Sequence, residues 1–182
     1  MRGAIATIAE QRSAADLLFI ALGEDAEPEQ IGRATIQFVP YQQDPAIVAR
    51  YCQAADLYLH AARAEAWGLT ITEALACGTP VVATAVGGIP EQVKGLRMDD
   101  GQGIDDLNRS GADEATGVLV PVGDARAMAR CIEHLLNDDG LRRRLSHNAA
   151  DDARERFDLN RQVKSYLDWY EQILANASER IA

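Results

Sequence analysis

Residues 65–93 read E-A-W-G-L-T-I-T-E-A-L-A-C-G-T-P-V-V-A-T-A-V-G-G-I-P-E-Q-V. A small turn, Ala66-Trp67-Gly68-Leu69, leads into a helical stretch, then an apolar strand, then a glycine pair. That succession belongs to an α/β protein. Where a chain leaves a strand and enters a helix, the first backbone N–H groups have no partner inside the helix and attract anions above the sheet. Gly68 removes the side chain at the point of closest approach. Thr70-Ile71-Thr72-Glu73 spells T-x-x-E, the pattern of a capping box, so a helix is expected to open near Thr70. Glu65 then lies in the loop and Glu73 in the first helical turn, where the two carboxylates can grip one ligand from two sides. Carboxylates accept strongly from paired hydroxyls, which suits a molecule with vicinal diols at both ends of a phosphate.

Outward from this block, apolar runs of strand length occur at 17–22, 35–39, 57–59, 81–84 and 118–120. Helical periodicity fills the gaps, which predicts a parallel sheet with helices on its faces. Ile47, Val48, Tyr51 and Cys52 recur at helical spacing, and Asp124 is placed to cap a helix whose inner face is Met128, Cys131, Ile132 and Leu135. Two further helices are expected at 141–156 and 159–174. The second carries an apolar stripe of Val163, Tyr166, Leu167, Tyr170 and Ile173, suited either to this domain's own sheet or to a partner domain.

The chain of 182 residues is long enough for one domain with a proper core. Eighteen basic against 28 acidic residues give a net charge of −10, which argues against nucleic acid or an anionic membrane as a partner. Attraction for phosphate must therefore be local. Cys52, Cys77 and Cys131 have neither metal-site nor CxxC spacing and read as buried thiols of a reducing compartment. No signal peptide is visible, and the uncharged run 75–90 is too short and too interrupted by Gly78, Pro80, Gly87 and Gly88 to be a transmembrane segment. A cytoplasmic location is expected. Asp99-Asp100 and Asp105-Asp106 lie in a polar stretch with no strand leading into it, so no metal site is expected; His60, His134 and His147 stand in no catalytic constellation.

The block resembles the signature of retaining glycosyltransferases with the two-domain GT-B fold, in particular glycosyltransferase family 4. That family shows E-x7-E, then E-A-x-A-x-G-x-P-V, then G-G-x-x-E. Here these are Glu65 to Glu73, then Glu73-Ala74-Leu75-Ala76-Cys77-Gly78-Thr79-Pro80-Val81, then Gly87-Gly88-Ile89-Pro90-Glu91. More diffuse similarity takes in 38–41, 55–59 and 117–124. The resemblance implies a Rossmann-like, doubly wound parallel sheet, a single domain of a GT-B fold, spanning 1–182 as the C-terminal donor-binding domain. The implied ligand is a nucleoside diphosphate sugar as donor substrate, with no cofactor and no metal. Glu65 resembles the glutamate near the donor sugar and the reacting centre; Glu73 resembles the one that accepts from the ribose hydroxyls. Ala66, Trp67, Gly68, Leu69 and Thr70 would line the sugar and phosphates, with Val39 and Tyr41 at the base edge. The implied reaction is hexose transfer to an acceptor hydroxyl with retention, written as front-face attack in which the leaving phosphate takes the acceptor proton.

Three departures bear on that expectation. The polar stretch 94–116 reads as an inserted acidic surface loop. The family's G-R-x-x-x-x-K loop, whose arginine and lysine hold the diphosphate, has no counterpart here. Residues 3–11 look like the helix that follows that loop, so the chain is expected to lack the domain's first strand and the N-terminal acceptor domain. The C-terminal helix is expected over 159–176. On these grounds the chain reads as a glycosyltransferase fragment that is inactive alone. The alternatives are a non-catalytic partner or regulatory module of the same fold, or another GT-B-fold sugar-nucleotide enzyme.

Overall fold

The computed structural model describes residues 1–11, 16–98, 104–106 and 111–181. Helix α1 (Arg2–Gln11) precedes strands β1 (Leu17–Leu22), β2 (Glu29–Ile31) and β3 (Ala34–Val39). Helix α2 (Pro45–Ala54), strand β4 (Tyr58–His60), helix α3 (Leu69–Ala76), strand β5 (Val81–Thr84) and the short α4 (Ile89–Gln92) follow. Strands β6 (Gly95–Met98) and β7 (Ile104–Asp106), the short α5 (Gly111–Glu114) and strand β8 (Gly117–Val120) lead to α6 (Ala125–Asn137), α7 (Asp139–Arg156) and α8 (Leu159–Ile181).

The architecture is α/β with a Rossmann-like parallel sheet. Strands β4, β5, β8 and β6 lie parallel in that order, and β7 closes the far edge antiparallel to β6. Both faces are covered, which the sequences of the middle strands require. Val82, Val118 and Val120 point to a core shared with Ala4, Ile8, Met128, Cys131, Ile132 and Leu135 of α1 and α6. Val81, Ala83 and Leu119 point the other way, to Ile71, Leu75, Ala149 and Ala153 of α3 and α7. Alternate residues of one strand thus enter opposite cores, so β5 and β8 read as unbroken apolar runs. The expected inner face of α6 is buried as predicted from its period, and Asp124 caps that helix by accepting from Ala127 N at 2.8 Å. On α2, Cys52 is buried, while Ile47 at the same spacing is exposed.

Three findings differ from the sequence reading. The strands form two sheets, not one, because β1, β3 and β2 make a separate sheet, β1 parallel and β2 antiparallel to β3. Among the described residues nothing pairs with the outer edge of β1 or of β4. Helix α1 ties the two sheets together: Ala4 and Ile8 enter the core of the larger one, Ile5 and Ala9 the core formed with Ala34, Ile36 and Phe38. Second, the stretch 94–116 is more than a surface loop, since β6 sits inside the sheet against β8 with Leu96 buried. Leu96 supplies the buried apolar side chain there, and hydrogen bonds to both neighbours supply the pairing. Asp99 and Asp100 lie outside the described residues. Third, α8 runs to Ile181 and leaves its stripe exposed, with Tyr166, Leu167 and Tyr170 each more than half accessible, so it does not cover this chain's own sheet. Among the described residues no helix is long and apolar enough to cross a membrane.

Candidate functional site

In an open parallel sheet ligands bind beyond the carboxyl ends of the strands, where loops leave for the next helix. Here those ends belong to β3, which delivers Val39 and Tyr41, to β4, which leads through Glu65 into α3, and to β5, which leads into Gly87-Gly88. The loops after β4 and β5 are built against each other. Thr84 Oγ1 donates to Ala62 O at 2.7 Å, and Gly88 N donates to Glu65 O at 3.2 Å. Gly87 adopts φ +52°, and a Cβ there would stand 1.8 Å from Glu65 O; at Gly88 it would stand 2.3 Å from Ala66 O. Both positions admit only glycine. Gly87 and Gly88 therefore shape the loop that carries Glu65.

The start of α3 differs from a capping box. The helix begins at Leu69 with Gly68 as its N-cap, Thr70 is its second residue, and Glu73 falls in the second turn. The Thr70 hydroxyl is hydrogen-bonded to Tyr58 Oη at 2.8 Å and does not cap. Its place is taken from a distance by Gln92 at the end of α4, whose side chain is fully buried. Gln92 Oε1 accepts from Gly68 N at 3.1 Å, and Nε2 donates to Gly68 O at 3.0 Å and to Thr72 Oγ1 at 2.8 Å. Gly68 N–H, expected to face a sugar or phosphate, is consumed by this clamp. Leu69 N–H and Thr70 N–H have no backbone partner among the described residues and remain at the helix N-terminus.

Glu65 is half-buried in the loop, with Oε2 3.4 Å from His60 Nε2. Glu73 is exposed on α3, and its carboxylate has no hydrogen-bond partner among the described residues. Ala66, Leu69 and Thr70 are exposed, and the Trp67 indole, 42% accessible, packs edge-on against Phe157 at 5.9 Å between ring centres. Phe157 in turn lies under the Arg156 guanidinium at 4.8 Å, and that guanidinium donates to the carbonyls of Glu91 and Gln92 and to Asp152. The end of α7 thus braces both α4 and the tryptophan. Val39 closes β3, and Tyr41 beyond it is 76% accessible. The structure therefore groups residues 65–70 and Glu73, while Val39 and Tyr41 stand at the end of β3 in the separate sheet.

Tyr58, His60 and Gln92 are the side chains that sequence reasoning passed over. His60, expected to stand in no constellation, lies beside Glu65. The first two had a signal in L-Y-L-H, where two polar residues sit at alternate positions of an apolar strand and so share one face. Gln92 had none, being 24 positions from Gly68. Burial raises the Tyr58 phenol above its ordinary value and keeps it neutral, while the hydrogen bond to Thr70 opposes the shift. Burial likewise pushes Cys52 to about 11 and Cys131 to about 12, which makes both thiols unreactive at neutral pH. Among the described residues no group of three or more histidine, cysteine, aspartate or glutamate side chains is placed to hold a metal ion.

Residues 26–152 match the family described as glycosyl transferases group 1. D-inositol 3-phosphate glycosyltransferase of Salinispora tropica is 38% identical over 147 residues, 81% of this chain and 26% of that protein. Sucrose-phosphate synthase from Thermosynechococcus elongatus superposes with a TM-score of 0.69 at 27% identity, over 96% of this chain and 42% of its own. Anabaena HepE, in a crystal structure with UDP-glucose, superposes with a TM-score of 0.55 at 26% identity, over 73% of this chain and 32% of its own. The chain spans about a quarter of the length of the curated relatives it matches.

Proposed function

The chain belongs to the family of glycosyl transferases group 1, and from that premise we propose that it binds a nucleoside diphosphate sugar across the carboxyl ends of β4 and β5. Glu65 faces the hexose, Glu73 accepts from the ribose hydroxyls, and Leu69 and Thr70 N–H meet the diphosphate. Val39 and Tyr41 flank the base. What supports this reading is Glu65 in the loop before α3, Glu73 in the second turn of that helix, and between them the N–H groups of Leu69 and Thr70, which have no backbone partner among the described residues. Fixed amide dipoles can stabilise a leaving diphosphate without a metal ion or cofactor.

In the whole enzyme the hexose passes to an acceptor hydroxyl with retention, in the manner of glycosyltransferase family 4, whose E-x7-E corresponds to Glu65 and Glu73. The acceptor is read by a second, N-terminal domain outside this span. The 182 residues alone do not turn over, and the enzyme works in the cytoplasm. The UDP-glucose held by HepE makes a uridine diphosphate sugar the first donor to try.

Calorimetric titration of the chain with UDP-glucose and UDP tests this. Both should bind, and Glu73→Gln should weaken both about tenfold, the effect of one hydrogen bond to a charged group. Undetectable binding of either ligand by the unaltered chain, or an inert Glu73→Gln, would sink the reading.

A further inference from the structure

We propose that His60 is a positioning residue for Glu65, and that it fixes the carboxylate for the sugar rather than for the nucleotide. The inference deepens the function proposed above and rests on it. His60 is the last residue of β4, its side chain is 18% accessible, and its Nε2 atom is fully buried 3.4 Å from Glu65 Oε2 without a hydrogen bond. A buried polar nitrogen without a partner is costly, and it is retained here at the carboxylate of the site. The other ring nitrogen, Nδ1, is 3.4 Å from Tyr58 Oη, with the two rings 24° from parallel. Tyr58 is hydrogen-bonded to Thr70 at the start of α3.

Four side chains thus form one line, Thr70, Tyr58, His60, Glu65, running from the helix N-terminus to the loop. Hydroxyl hydrogens rotate to suit their partners, so one proton order satisfies every member. Tyr58 Oη is placed to donate to Thr70 Oγ1; turned about its own bond the same hydroxyl donates to His60 Nδ1 while Thr70 donates to Tyr58 in return, and His60 then donates from Nε2 to Glu65. This order uses the Thr70 proton inside the line, which leaves the diphosphate to the backbone N–H groups. Among the described residues, Tyr58 of its own strand and Glu65 of the loop are recorded beside the imidazole, and Thr70 of α3 reaches Tyr58. The negative field of Glu73 on α3 reaches Tyr58, as does Cys52 on α2, a thiol that burial holds neutral. Opposite His60 on β5 stands Ala83, which carries no charge. The contact to Glu65 is loose in the free protein and closes when hexose hydroxyls draw the carboxylate into place, as site hydrogen bonds commonly tighten on binding.

Two amide substitutions separate the nitrogens. Glutamine places an amide nitrogen where Nε2 stands, and asparagine places one where Nδ1 stands. Titrating UDP-glucose and UDP into the full chain, His60→Gln should remain within about twofold of the unaltered protein for both ligands. His60→Asn should lose about tenfold for UDP-glucose and leave UDP unchanged. Parallel losses for both ligands would reduce His60 to a packing residue, and an unchanged His60→Asn would remove it from the site altogether. A chain that binds neither ligand defeats the donor reading, and the pairing is then judged without ligand. In 15N spectra the Nε2 resonance of His60 should move on Glu65→Gln; a stationary resonance overturns the proposal.

Discussion

Strands β1 and β5 are both short and largely apolar, yet they live in different surroundings. Strand β5 has β4 and β8 on its two edges and helices on both faces, and all four of its residues are buried. Strand β1 has β3 on one edge and α1 on one face. Its residues alternate between half-buried and exposed, with Leu18 66% accessible and Ile20 and Leu22 also exposed. An apolar run thus states what a strand is suited to, while its neighbours decide what it receives. The sequence of β1 fits a strand buried on both faces, and in this structure it stands at a sheet edge.

Substitutions should separate the two regions sharply. Leu75→Ala empties a fully buried position between α3 and the larger sheet and should cost about 2–5 kcal/mol in urea unfolding. Leu18→Ala, the same change on β1, should stay within about 0.5 kcal/mol. Equal losses would mean that β1 is as fully packed as β5. Next in size is Gln92→Ala, which strips the clamp from Gly68 and leaves buried backbone groups unpaired, at about 1–3 kcal/mol. If unfolding of this variant matches the unaltered chain, α3 does not need α4 to hold its first turn.

A separate handle on the larger core is a dependence of stability on alkaline pH to which its buried thiols contribute. Cys52 and Cys131 have folded values of about 11 and about 12, raised from 9.0, so the folded state keeps protons that the unfolded chain releases. Their contribution is complete below pH 9 and is lost as pH rises toward 12, by up to about 1.4 kcal/mol per pH unit for each thiol. Cys131→Ala should make the alkaline fall of stability shallower. An identical slope would show that Cys131 ionises without cost.

Much of the larger sheet could be read from the chain, because β5 and β8 are covered on both faces and leave unbroken apolar runs, and because Asp124 announces α6. The short strands β2, β6 and β7 could not. Their residues, such as Glu29, Gln30, Asp105 and Asp106, are polar, and their pairing comes from partners far along the chain. At the candidate site, Glu65, Glu73 and the turn between them stand in one continuous stretch and were visible together. Gln92 was not, since a glutamine carries no local pattern for a partner 24 positions away. T-x-x-E pointed to the right helix and the wrong cap, because Tyr58 holds Thr70 and the backbone of Gly68 already has Gln92.

The contact between Gly87 and the Glu65 carbonyl has a consequence for how sequence variation in this protein should be interpreted. The two residues are 22 positions apart, yet the shape of one loop is the mould for the other. Any side chain at 87 must push the Glu65 backbone aside, so Gly87→Ala would abolish the proposed donor binding by moving the loop that carries Glu65. Ranked by loss of binding alone, residue 87 would pass for a ligand residue, and a compensating change would be sought most usefully in the loop it presses on.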